Sequence, residues 1–126
     1  MNTFDYNIFA AVMRPLNSNW LAVPRIACVD GFNISVQSGT GLYCLPIINK
    51  YEEMDDDVIF THVEAGFPSE PEPLLNEFQH DDGDPTKSVY GRVPIDIISA
   101  VVKKHGGLNP LLLVKYLKRK KAKEAK

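Results

Sequence analysis

The feature that most constrains this chain is one dipeptide, Asp30-Gly31, set between two apolar runs. Arg25-Ile26-Ala27-Cys28-Val29 leads into it, and Phe32-Asn33-Ile34-Ser35-Val36-Gln37 leads out. Asp-Gly tolerates positive φ at both central positions of a two-residue turn, so the stretch is expected to be a β-hairpin. With a two-residue loop, Val29 faces Phe32 and Ala27 faces Ile34, and Val36 follows on the same side. Those five residues then make one apolar face. Ile26, Cys28, Asn33, Ser35 and Gln37 fall on the other. That second face is either solvated or a polar floor beneath a ligand.

Other elements extend outward from the hairpin. Ser38-Gly39-Thr40-Gly41 is a second turn, returning the chain into Leu42-Tyr43-Cys44-Leu45 as a third meander strand that Pro46 ends or places at an edge. Val58 to Phe67 is expected as a fourth strand, with Ile59, Val63, Ala65 and Phe67 on one face and Val58, Phe60, His62 and Glu64 on the other. Val89–Val93 is a short extended segment. It feeds a helix from Pro94 to His105, with Ile95, Ile98, Val101 and Val102 as the apolar stripe and Gly106 just past the end. Asn109-Pro110 caps a last helix.

The N-terminal stretch is less decided. Phe4, Ile8, Ala11 and Val12 recur at helical spacing behind a possible Thr3 cap, although Tyr6–Val12 also fits an edge strand. Arg14-Pro15 stops it. Trp20, in the connection that follows, reads as a plug or an edge cover. Residues 68–88 are rich in Pro and Gly, with room for a short helix near Leu74–His80. The result is an α+β fold: an antiparallel sheet of about four strands, a helix near 94–105 packed on it, and a C-terminal helix. Residues 1–114 form one domain and 115–126 a basic tail.

Length and composition agree with one modest core: 126 residues, 44% hydrophobic and 24% charged. No run is long and apolar enough for a membrane span, and Met1-Asn2-Thr3-Phe4-Asp5 has no basic-then-apolar leader, so a cytoplasmic location is expected. Cys28 and Cys44, 16 residues apart without CxxC spacing, read as buried thiols and not as a disulfide or zinc site. No cofactor is expected.

A formal net charge of −2 conceals segregation. Residues 115–126 carry six Lys and Arg119 against Glu124, leaving 7 basic and 15 acidic residues in 1–114, a net of −8. Two acidic runs stand out, Glu52-Glu53-Met54-Asp55-Asp56-Asp57 and His80-Asp81-Asp82-Gly83-Asp84. The first lacks the alternating ligands, central Gly and distal Glu of an EF-hand and reads as a solvated loop; the second belongs to the loop-rich stretch, and no metal is assigned. His62 and Glu64 share a strand face and could exchange a proton. No nucleophile or oxyanion element completes a site with them. His105, in the last helical turn, reads as a helix-dipole partner. The basic tail reads as a solubilising arm or a weak phosphate contact.

Four strings resemble those of small phage- and prophage-encoded accessory proteins. They are Val29–Gln37, Tyr43–Pro46, Val63–Glu70 and Val89–Pro94 with His105-Gly106-Gly107. Together they cover about residues 26–107, leaving the N-terminal extension and the basic tail outside. The resemblance implies a viral protein made inside a bacterial cell, and such proteins often inhibit host defence. In one form, an acidic surface covers a bacterial defence protein, with Asp55, Asp56, Asp57, Asp81, Asp82 and Asp84 imitating phosphate charge. In another, a nucleotide signal is sequestered by Arg25, Gln37, Tyr43, Glu64, Tyr90 and Arg92. A nucleic-acid accessory role through the tail and an enzyme using His62 and Glu64 are the remaining readings. An exposed edge such as Leu42–Leu45 also makes a homodimer plausible.

Overall fold

The computed structural model describes residues 4–14, 23–50 and 58–125. Thr3, Trp20 and the acidic run with Asp55, Asp56 and Asp57 lie outside the described residues. The described chain is an α+β fold. Its strands are β1 (Ile26–Ala27), β2 (Asn33–Gln37), β3 (His62–Gly66) and β4 (Val89–Pro94). Its helices are α1 (Tyr6–Met13), α2 (Ile95–Lys104) and α3 (Pro110–Glu124). The sheet runs β1-β2-β3-β4, each strand antiparallel to the next.

The hairpin is present, but with a different turn and therefore different faces. The Cys28 amide donates to the Phe32 carbonyl (2.8 Å) and the Gly31 amide to the Cys28 carbonyl (3.1 Å). Gly31 sits at φ 97°. This is a three-residue loop, Val29-Asp30-Gly31, with the glycine supplying the left-handed position. Ile26 pairs with Ile34 and Ala27 with Asn33, one residue out of the register that a two-residue loop imposes. Because side chains alternate, that single step exchanges the faces of β1. Ile26 and Cys28 join Phe32, Ile34 and Val36 in the core, while Val29 is 55% exposed. Asp30 uses its carboxylate to hold the shorter-range turn, accepting from the Phe32 amide at 3.0 Å.

The inner sheet face also receives Val63, Ala65, Tyr90 and Val93. Tyr6, Phe9 and Met13 of α1 and Ile98, Val101 and Val102 of α2 cover it. Each large apolar side chain so buried is worth about 1.5–3 kcal/mol. The N-terminal stretch is helical from Tyr6, and Asp5 caps it, accepting from the Ile8 amide. Asn7 then fixes the helix to the segment leading into β3: its side-chain amide donates to the Phe60 carbonyl and accepts from the Phe60 amide, both at 2.9 Å.

Two strand expectations are corrected. Leu42–Leu45 is not a strand; Leu45 makes an isolated bridge to His62 in the place that β2 vacates beyond Gln37. The short run contains Cys44, whose buried thiol faces Gly39 and Pro46 instead of a neighbouring strand. The strand expected from Val58 begins only at His62, after a bend at Thr61. Ile59 (64%) and Phe67 (49%) are therefore exposed and Phe60 is buried. Phe67 leaves the pleat at φ 53°. The short helix near Leu74–His80 is a 3₁₀ turn over Pro73–Phe78 that buries Leu75. α2 starts at Ile95 with Pro94 as its N-cap residue, and Asn109 caps α3 by accepting from the Leu111 amide.

Substitutions on β1 check the register. Ile26→Ala should cost about 2–5 kcal/mol in denaturant unfolding, whereas Val29→Ala should stay within about 0.5 kcal/mol. The reverse order would restore the two-residue turn.

Candidate functional site

The outer face of the sheet carries polar residues because β2 and β3 alternate. Asn33, Ser35 and Gln37 line β2, and His62 and Glu64 line β3. At the centre of β3–β4 the pairing slips between Val63 and Ala65, so Gly91 and Arg92 together oppose Glu64. This is a β-bulge, and it re-aims its residues out of the sheet. Arg92 is held there at φ 50°, a left-handed conformation that costs a non-glycine residue of order 1 kcal/mol or more. The turn after Gly39 closes over the bulge. The Arg92 amide donates to the Tyr43 carbonyl (2.9 Å) and the Tyr43 amide donates to Glu64 Oε1 (3.1 Å).

His80 completes the group. It lies at the free edge of β4, its amide bonded to the Val89 carbonyl, and its ring meets Tyr43 edge-on at 4.7 Å. Gly91 makes this possible: a Cβ there would sit 2.1 Å from His80 Nε2. Tyr43, His80 and Arg92, all exposed, and the half-buried Glu64 thus form one chemically mixed patch. It offers an aromatic face, an imidazole, a guanidinium with no side-chain partner among the described residues, and a carboxylate. His62 stands beside it with Nδ1 on the Thr61 hydroxyl at 2.8 Å.

Of the six residues read as a nucleotide site, Tyr43, Glu64 and Arg92 therefore come together. Gln37 stands opposite Glu64 across β2–β3, yet its amide is committed elsewhere, and Arg25 and Tyr90 lie apart. Arg25 Nε donates to Asn33 Oδ1 (2.7 Å) and its Nη2 to the Phe67 carbonyl. Gln37 pairs through both ends of its amide with the Val23 backbone, at 3.0 Å each. Tyr90 is buried, with its hydroxyl on the Pro85 carbonyl at 2.7 Å. His62 and Glu64 share a face, yet the Glu64 carboxylate positions the Tyr43 loop.

The acidic loop 80–84 is ordered by its own carboxylates. Asp81 Oδ1 accepts from the Gly83 amide (2.7 Å) and the Ser88 hydroxyl (3.0 Å). Asp84 Oδ1 accepts from the Thr86 amide and hydroxyl, at 2.9 and 2.8 Å. The Gly83 amide lowers the pKa of Asp81, and the Thr86 hydroxyl followed by its amide lowers that of Asp84, so both remain charged. Asp82 is exposed between them. In the basic C-terminal stretch, Arg119 donates to the Met13 carbonyl and Lys123 to that of Ala11, while Lys115, Lys118 and Lys121 are exposed.

A second charged cluster underlies these loops, and no spacing in the chain announces it. His105 Nδ1 meets Asp30 Oδ2 and His105 Nε2 meets Glu72 Oε1, both at 2.6 Å. Glu72 Oε2 accepts from Lys104 Nζ at 2.8 Å, and Phe32 stacks on the imidazole at 4.1 Å. Two carboxylates on one ring require both nitrogens to donate, so the ring is an imidazolium. Burial works to lower the His105 pKa, but Glu72 and then Asp30 outweigh it and the value is raised. At Glu72 burial works upward, and hydrogen bonds from Lys104, the Leu74 amide and His105 bring the net shift down. At Asp30 the Phe32 amide, then His105, lowers the value. With both nitrogens occupied, His105 is a clasp joining the β1–β2 turn, the segment before the Pro73 turn and the end of α2.

No known protein family, curated protein or solved structure matches the chain at a significant level.

The clasp makes stability depend on pH at both ends. The His105 contribution is complete below the ordinary imidazole pKa of about 6.5 and is lost as pH rises through its elevated folded value. The Asp30 and Glu72 contributions are complete above the ordinary carboxylate pKa of about 4 and are lost as pH falls through their depressed values. Unfolding midpoints should therefore be highest between those ranges. His105→Gln should remove the alkaline decline and cost about 3 kcal/mol within the plateau; an unchanged alkaline limb would place its origin elsewhere.

Proposed function

We propose that this chain is a binding protein of the phage accessory type, which inhibits a bacterial defence component by laying an acidic surface over it. The observation that carries this reading is the loop at 80–84. Its Asp81 and Asp84 carboxylates are fixed by neighbouring amides and hydroxyls and are held ionised, with Asp82 exposed between them. Fixed charge loses little conformational freedom when a partner binds, and clustered carboxylates attract surfaces built to hold phosphates. Both side chains are exposed, so their charge is presented to solvent while Oδ1 of each caps its turn. The body's net charge of −8 adds long-range attraction to a basic target. Saturation of both His105 nitrogens by carboxylates supports binding over acid–base catalysis at the buried cluster.

A second reading, sequestration of a nucleotide signal, is favoured by the Tyr43–His80–Arg92 patch. The Tyr43–His80 ring pair, on a loop bonded to exposed Arg92 whose guanidinium has no side-chain partner among the described residues, suits a base carrying a phosphate.

The two readings separate experimentally. In a bacterial host carrying nuclease-based defence systems, the protein should restore plating of a sensitive phage. Asp81→Asn/Asp82→Asn/Asp84→Asn, which keeps the turn-capping oxygens and removes the charge, should reduce that rescue by about tenfold or more. Undiminished rescue would contradict the acidic-surface reading. Should cyclic dinucleotides instead raise the thermal midpoint, and Arg92→Ala abolish the rise, the nucleotide reading would replace it.

A further inference from the structure

α3 has two different sides. One packs inward: Tyr116 stacks on Phe9 at 5.9 Å, and Arg119 and Lys123 reach carbonyls of α1. The opposite side presents Leu111 (84% exposed), Val114 (50%) and Leu117 (51%), with Leu113 (39%) at its margin. Residues three and four apart share a helix face, so these side chains form one stripe, which Lys118 and Lys121 prolong toward the C-terminus. A stripe that apolar on an exposed helix marks a contact surface.

Charge identifies the occupant. A nucleic-acid backbone would satisfy the lysines but leave the leucines in water. An anionic membrane would set a continuous negative surface against a body of net charge −8, whereas a second copy brings its own α3 lysines and totals −2. Two copies of this chain satisfy both halves of the stripe. We propose that α3 pairs antiparallel with α3 of a second copy, about a two-fold axis at Val114. Lys121 lies seven residues beyond Val114, about 10 Å along the helix at 1.5 Å per residue. At that distance on the other side of the axis lies Gly107 of the second copy, in the link just before its α3. There its Val29-Asp30 turn is tied to the α2–α3 link, through the Val29 amide to the Gly107 carbonyl (3.0 Å) and the Asp30 amide to the His105 carbonyl (3.3 Å). The Asp30 side chain is 48% exposed. Leucine then meets leucine near the axis, and lysine meets aspartate at each end. A parallel pairing would instead set lysine against lysine. The contact is isologous and closes as a dimer.

This inference stands apart from the proposed inhibitory role and is tested without it. Sedimentation of the full chain at concentrations up to about 100 µM should show a monomer–dimer equilibrium. Leu117→Glu should raise the dissociation constant by about tenfold or more, and Lys121→Glu should also weaken the dimer. Circular dichroism should be unchanged for both, since neither side chain is in the core. The native cysteines are buried, so Val114→Cys should oxidise to a covalent dimer faster than the exposed control Glu77→Cys. A monomer throughout, a dimer indifferent to Leu117→Glu, or equal cross-linking of the two cysteine variants would each overturn the proposal. So would a monomer that captures anionic vesicles or duplex DNA through α3.

Discussion

One ionised imidazole holds together three pieces of chain that are remote in sequence. His105 ends α2, Asp30 belongs to the β1–β2 turn, and Glu72 precedes the 3₁₀ turn in the long β3–β4 connection. The Glu72 side chain is 1% exposed, so its charge would be costly without partners. Lys104 and His105 supply two cationic ones, from adjacent residues of one helix end, where the helix dipole also favours positive charge. Phe32, stacked on the ring, connects this polar centre to the hydrophobic core. Glu72 and His105 are the buried pair of the cluster, so removal of either charge leaves the other buried with its compensation reduced.

The same logic of backbone fixed by side chains shapes the outer sheet face. Gln37 pairs with the Val23 backbone as a strand would, Arg25 fastens to Asn33 and Phe67, and Glu64 fastens Tyr43. Polar residues that alternate outward on the strands thus act mainly as anchors for the crossing loops. Among the described residues, the exposed exceptions are Arg92 at its bulge, the Tyr43–His80 pair over Gly91, the acidic loop at 80–84, and the outer side of α3. Two left-handed non-glycine residues, Phe67 and Arg92, flank this face. Such strain persists only where the surroundings over-determine it, and here the Ser88 and Tyr43 carbonyls do so by accepting from their amides.

Much of the architecture is legible in the sequence because it rests on local signals. Helical spacing finds α2 and its apolar stripe, Asn109-Pro110 marks the start of α3, and the Asp-Gly pair marks the hairpin. The length of that turn is not local. Asp30 serves both the Phe32 amide and His105, 75 residues away, and that second bond agrees with a three-residue loop that a dipeptide motif cannot reveal. The slip by one residue then moves Cys28 inward and Val29 outward. Leu42–Leu45 has the composition of a strand, yet a turn closing on Cys44 converts it to a bridge. Of the candidate site, Tyr43, Glu64 and Arg92 are visible as polar or aromatic residues on expected extended segments, and the acidic run 80–84 is visible as charge. Glu72, Lys104 and the Gly91–His80 contact are silent, since each depends on where the long β3–β4 connection folds back.

The central claim is that His105 is a doubly hydrogen-bonded imidazolium inside the folded protein. Nitrogen-15 NMR of the histidine ring tests it most directly. Both His105 ring nitrogens should resonate as protonated at a pH just above about 6.5, where a free imidazole would be mostly neutral, and the midpoint should be displaced upward. A bare ring nitrogen at that pH, or a titration midpoint at the value of a free imidazole, would contradict the clasp and the fold organisation drawn from it.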